Sequence, residues 1–150
     1  LYNSTSSIKI IATDIDTSML DLARKGEYIL DSRLNKIPDW VELDKYFDIV
    51  KVVSKDVVSL RAKSSLKSMI TFQQLNLFNK TYPFSAGEFD MVFCRNVLIY
   101  FKPKDQESIL KVGGTLYLGH SEDILSLSPY FERLGNKMFV KNSESIINVL

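Results

Sequence analysis

Residues 89–101, FDMVFCRNVLIYF, put an arginine and an amide where a strand should end. Met91, Val92, Phe93 and Cys94 form an apolar run of the kind that marks a strand covered on both faces of a parallel sheet. Arg95 and Asn96 then fall at its carboxyl end, the side on which open α/β sheets bind ligands. A second apolar run, residues 97–101, carries the hydroxyl of Tyr100, and Pro103 stops it. A guanidinium and an amide at that end, with a phenol five residues past the arginine, belong in a ligand-binding crevice. On periodicity alone the stretch reads equally as a core strand capped by an arginine.

A second chemical signal lies near the amino end. IKIIATDI, residues 8–15, has the pattern of a buried strand, and carboxylates follow at Asp14 and Asp16. Thr17 and Ser18 can cap a helix through Met19, Leu20, Leu22 and Ala23, with Gly26 as its stop. Strand, acidic turn and helix make half of a βαβ unit. In such a unit Asp14 could grip a ribose diol with both oxygens. Alternatively, both carboxylates serve only the positive end of the helix dipole.

The elements that must position these groups follow in order. Residues 27–47 have a weak pattern, in which Pro38 opens a short helix holding Trp40, Val41 and Leu43, with Trp40 as a packing residue. Two short strands around Ser54, Lys55 and Asp56 then read as a hairpin, followed by a Lys/Ser tract over residues 61–68. An exposed edge on that hairpin could take up a peptide as an extra strand. Residues 69–77 return to strand pattern and end at Asn76 and Leu77. The charged residues 102–107 suit a solvated helix start. Gly113 and Gly114 precede a strand, TLYLG, which ends at Gly119, His120, Ser121 and Glu122; a turn at Gly135–Asn136 leads into a last strand, KMFVK. The only imidazole, His120, reads as a hydrogen-bonding residue at a strand end.

Composition narrows the function classes. In 150 residues, 19 Lys and Arg oppose 18 Asp and Glu, so no broad basic field is offered to nucleic acid or to an anionic membrane. One cysteine excludes an internal disulfide and fits a reducing compartment, and one histidine makes a His/Cys metal site improbable. No apolar run approaches the roughly 18 residues that a membrane span needs. These features point to a cytoplasmic α/β domain without metal.

The series ATDID, ARKGEY, YF, NL, FDMVFCRNVLIYF and GGTLYLGHSE resembles the CheR family, the chemotaxis receptor methyltransferases, from about Ile8 to Lys141. The resemblance implies a Rossmann-like, S-adenosylmethionine-dependent methyltransferase sheet with a small inserted antiparallel β subdomain, at about residues 47–69, within a partial catalytic domain over residues 1–150. It implies methyl transfer to glutamate side chains on the cytoplasmic helices of chemoreceptors, with S-adenosylhomocysteine as product. In some members the β subdomain holds a receptor's C-terminal peptide. Carried residue by residue, it assigns Asp14 to the cofactor ribose and Asn76 and Leu77 to the flanks of the adenine. Arg95 and Asn96 would line the cofactor pocket, with Arg95 and Tyr100 beside the reacting carboxylate.

Two departures qualify the resemblance. The family's first strand, its glycine-rich loop and its helical N-terminal domain all lie upstream of the ATDID motif, so half of the cofactor pocket is expected outside these residues. The connection over residues 102–114 is also short for a parallel crossover, which wants a dozen residues or more and usually a full helix. About ten residues are expected to be missing between Leu110 and Lys111. The alternative to an enzyme is a non-catalytic module derived from one, binding a receptor tail or sensing cofactor. Methylation of a nucleic-acid amine is disfavoured, because Arg95, Asn96, Val97 and Leu98 stand where such enzymes carry a proline-rich motif.

Overall fold

The computed structural model describes residues 8–95, 109–120, 122 and 130–142. They form a mixed α/β structure in two compact units, one ending at Asn76 and the other beginning at Leu77.

In the first unit, β1 (Ile10–Asp14) pairs in parallel with β5 (Ile70–Gln74), with Asp14 opposite Gln74. Helix α1 (Thr17–Lys25) connects onward from β1 and packs against both strands. Asp16, not Thr17 or Ser18, caps it: the aspartate side chain accepts from Ser18 N at 2.8 Å. Gly26 ends it in the left-handed conformation, φ 66°, where a glycine meets no Cβ penalty. Arg24 and Lys25 in the last turn complement the helix dipole.

Between α1 and β5 in the chain lies an antiparallel sheet of three strands, ordered β2-β4-β3: β2 (Glu27–Asp31), β3 (Phe47–Val52) and β4 (Val57–Ala62). β3 and β4 are the expected hairpin. β2 was not legible, because Tyr28, Ile29 and Leu30 are consecutive and show no alternation. Glu27 faces Arg61 across the β2–β4 pair and receives two guanidinium bonds at 2.8 and 3.0 Å. Short helices α2 (Leu43–Tyr46) and α3 (Ser64–Lys67) flank β3 and β4. The helix expected at Pro38 is a turn instead, closed by Val41 N donating to Pro38 O at 2.9 Å. Trp40 is 82% exposed and does not pack, contrary to expectation. β5 stops at Gln74, two residues short of Asn76.

The second unit is a four-stranded sheet ordered β6-β7-β9-β8: β6 (Phe89–Cys94), β7 (Leu110–Leu118), β8 (Phe131–Gly135) and β9 (Met138–Lys141). β6 and β7 run parallel, and β9 is antiparallel to both β7 and β8. Cys94, Leu110, Leu116, Leu118, Phe131 and Phe139 form its core. β6 is not covered on both faces: Met91 is 57% and Phe93 68% exposed, whereas Cys94 is buried. Gly113 and Gly114 lie inside β7 rather than before it. The register explains this: Phe89 faces Leu110 but Met91 faces Thr115, so β7 makes an excursion against an unbroken β6. Lys111 Nζ pins that excursion to Asp90 Oδ1 at 2.7 Å. Among the described residues no helix is long and apolar enough to cross a membrane.

Candidate functional site

Asp14 and Gln74 end the parallel pair of the first unit side by side. Leu75 N donates to Asp14 O at 3.0 Å, and the Gln74 amide donates to Ile15 O at 3.0 Å. Asp14 Oδ1 accepts from Asp16 N at 2.9 Å, and Asp16 Oδ1 in turn accepts from Ser18 N and from Ser18 Oγ at 2.6 Å. Those Ser18 bonds, the hydroxyl first, hold the Asp16 carboxyl below the ordinary carboxylate range. The two carboxylates have therefore separated in role: Asp16 is committed to the helix, while no described residue donates to Asp14 Oδ2. An exposed acidic oxygen at a parallel strand's carboxyl end suits a diol. Asn76 follows two residues after β5 and is half-buried.

In the second unit the carboxyl ends of β6 and β7 border a shallow, open concavity of about 230 Å³. Phe93, Arg95, Tyr117, Leu118, His120, Asn136 and Lys137 line it. The Phe93 and Tyr117 rings are register partners and stack at 4.7 Å, only 9° from parallel. Arg95 is exposed at the rim, one residue past β6. The β8–β9 turn meets the end of β7 through Lys137, whose carbonyl accepts from Leu118 N at 2.9 Å. Lys137 has a left-handed φ of 59°, which its Nζ bond to Glu122 O helps to hold. Glu122, only 2% exposed, accepts from Gly119 N at 2.8 Å and so closes the turn that carries His120. His120 is exposed there, and no described residue hydrogen-bonds its ring, unlike the structural role expected of it. A cationic rim over an aromatic floor can hold a carboxylate or a planar ring. Leu77, half-buried, has its carbonyl held by Tyr82 Oη at 2.8 Å.

Of the residues singled out by sequence, Asp14 and Asn76 lie in the first unit and Leu77 and Arg95 in the second. Asn96 and Tyr100 lie outside the described residues. Sequence reasoning missed Gln74, the Phe93–Tyr117 stack and Lys137. A period-2 reading of β6 and β7 would have put both rings on one face, but nothing local marks Gln74 or Lys137 as partners of distant carbonyls.

Parallel strand pairs with charged groups at their carboxyl ends, the first of them followed by helix α1, are the arrangement of α/β ligand-binding domains. The chain belongs to the family of the CheR methyltransferase SAM-binding domain, which it matches over residues 1–140. S-adenosylmethionine is the cofactor of that family. The chain is 39% identical over 124 residues to the chemotaxis protein methyltransferase of Borreliella burgdorferi, covering 78% of this chain and 41% of the relative. It is 34% identical to chemotaxis protein methyltransferase 2 of Pseudomonas aeruginosa, over 88% of this chain and 48% of the relative. The chemotaxis protein methyltransferase of Escherichia coli is also 34% identical, over 91% and 48% respectively. The chain thus spans about half the length of the curated relatives it matches.

Proposed function

We propose that this chain is part of the catalytic domain of a protein-glutamate O-methyltransferase. It acts in the cytoplasm on the cytoplasmic helices of chemoreceptors, with S-adenosylmethionine as methyl donor. The observation that carries the cofactor half is the open Oδ2 of Asp14 at the carboxyl end of β1. The parallel pairs β1–β5 and β6–β7 fit a Rossmann-like methyltransferase fold. The antiparallel sheet falls between β1 and β5 in the chain, as an inserted subdomain does, and its edge strands β2 and β3 offer ladders on which a receptor tail peptide can add.

The chemistry asks little proton transfer of the protein. A glutamate side chain has an ordinary pKa of about 4.3, so at neutral pH the acceptor is already a nucleophile. S-adenosylmethionine supplies a methyl group on a sulfonium, and its transfer to a carboxylate removes one charge of each sign. What remains for the protein is orientation and exclusion of water. Asp14 holds the ribose, and Asn76 and Leu77 flank the adenine. Arg95 and Asn96 line the pocket, and Arg95 with Tyr100 aligns the acceptor carboxylate. Too firm a grip by Arg95 would favour the ground state, so Tyr100 is the closer group.

Calorimetric titration of the full-length protein with S-adenosylhomocysteine tests this reading. Wild type binds one to one, and Asp14→Ala weakens binding by about 1–3 kcal/mol, the usual cost of leaving polar partners unpaired. Equal affinity in the two proteins would return Asp14 to a role in the helix turn alone.

A further inference from the structure

The β1–α1 turn that presents Asp14 is closed from outside by a side chain of the neighbouring strand. Asp14 and Gln74 are the last register partners of the parallel pair, and Leu75 N adds one further backbone bond to Asp14 O. The next carbonyl, that of Ile15, is taken by a side chain: Gln74 Nε2 donates to it at 3.0 Å. An amide side chain thus supplies the rung that a longer strand would have made. From the other side the turn is wound by its own carboxylates, Asp14 on Asp16 N and Asp16 on Ser18. All of these groups are exposed; the carboxylate bonds lie within the turn, whereas the Gln74 rung ties the turn to the sheet.

We propose that Gln74 is a positioning residue for cofactor binding: by holding Ile15 O it fixes the Ile15–Asp16 peptide, whose N–H binds Asp14 Oδ1, and so aims Asp14 Oδ2 at the ribose diol. The proposal rests on the reading of Asp14 as the ribose ligand. Donor chemistry separates it from a merely structural role. A glutamine amide donates at any pH, and leucine never does. A glutamate donates only when protonated, and when ionised it opposes both the Ile15 carbonyl and the nearby Asp14.

The experiment measures S-adenosylhomocysteine affinity in the full-length protein for wild type, Asp14→Ala, Gln74→Leu and Gln74→Glu. It is run at about pH 7.5 and about pH 4.5, the lower value close to the ordinary glutamate pKa of about 4.3, with a thermal melt of each variant. Gln74→Leu is expected to bind roughly three- to tenfold more weakly at both pH values, as one lost hydrogen bond implies. Gln74→Glu is expected to bind worst near neutrality and to regain affinity as the pH falls. In turnover the variants raise the cofactor KM and keep kcat at saturation. Wild-type affinity in both Gln74 variants while Asp14→Ala binds weakly would overturn the proposal and leave the ribose reading standing. A Gln74→Glu affinity that follows the wild-type pH profile would overturn it too, whatever the melts show. Wild-type affinity in Asp14→Ala would remove the ribose reading and this proposal together.

Discussion

Replacing Gly114 with alanine tests the excursion in β7, the strand that carries Tyr117 and Leu118 to the concavity. A Cβ at position 114 would lie 2.8 Å from Lys111 O, 2.9 Å from Leu110 Cδ1 and 3.0 Å from Asp90 O. Two of these atoms are backbone, and the third belongs to a leucine only 1% exposed, so none can swing aside. Relief needs a movement of about half an ångström in β6 or β7, and overpacking of this kind costs about 1–3 kcal/mol. Alanine's better backbone entropy returns roughly 0.5–1 kcal/mol, so a net loss of about 1 kcal/mol is expected. Gly113 is the control. It has φ +77° but nothing within 4 Å of an added Cβ, so Gly113→Ala meets only the left-handed penalty, about 1–2 kcal/mol. Asparagine, which tolerates that region, should be milder still at position 113. Thermal melts followed by circular dichroism, at roughly 2–4 °C per kcal/mol for a chain of this size, should show Gly114→Ala about 2–4 °C below wild type and Gly113→Asn nearest to it. A Gly114→Ala melt within a degree of wild type, or one above that of Gly113→Asn, would refute the register that sets Leu110 against Phe89 and Thr115 against Met91.

Three further outcomes follow from the same structure. Asp31 accepts from Arg33 N and from both the Nε and Nη2 of its guanidinium, which lowers its pKa from 3.8 to about 2. A depressed folded-state pKa means that the unfolded chain binds the proton more readily. The stabilisation is therefore complete above pH 3.8 and lost as the pH falls towards about 2. Melting temperatures of wild type and Asp31→Asn should accordingly differ most near neutrality and converge at the acid end; a constant gap across that range would contradict the assignment. Leu116 is 1% exposed in the core of the second unit, and Leu116→Ala should cost about 2–5 kcal/mol in denaturant unfolding; a loss under about 1 kcal/mol would mean the site collapses freely. Tyr100→Phe in the full-length protein should lower turnover while leaving S-adenosylhomocysteine affinity nearly intact, and unchanged turnover would remove Tyr100 from the proposed mechanism.

The sequence by itself determined the features that depend on neighbours in the chain. IKIIATDI read as a strand, Thr17, Ser18 and Gly26 bracketed a helix whose cap proved to be the neighbouring Asp16, and the apolar runs on either side of Ser54–Lys55–Asp56 read as a hairpin, because these signals are period, cap and turn chemistry within a few residues. Family membership was legible for a related reason: FCRNVLIYF and LGHSE are dense local strings. Tertiary structure decided what depends on partners far away. β2 exists as a strand because β4 offers it a ladder, and Arg61 a partner for Glu27. Trp40 is exposed because no neighbour covers the turn that replaced its helix. Gly113 and Gly114 sit inside β7 because the chain makes an excursion there against an unbroken β6. Gln74 finds the Ile15 carbonyl 59 residues away, and Lys137 meets the end of β7 from the β8–β9 turn. Contacts of that range are fixed by how strands come to lie side by side, and the spacing of residues along one chain carries no record of them.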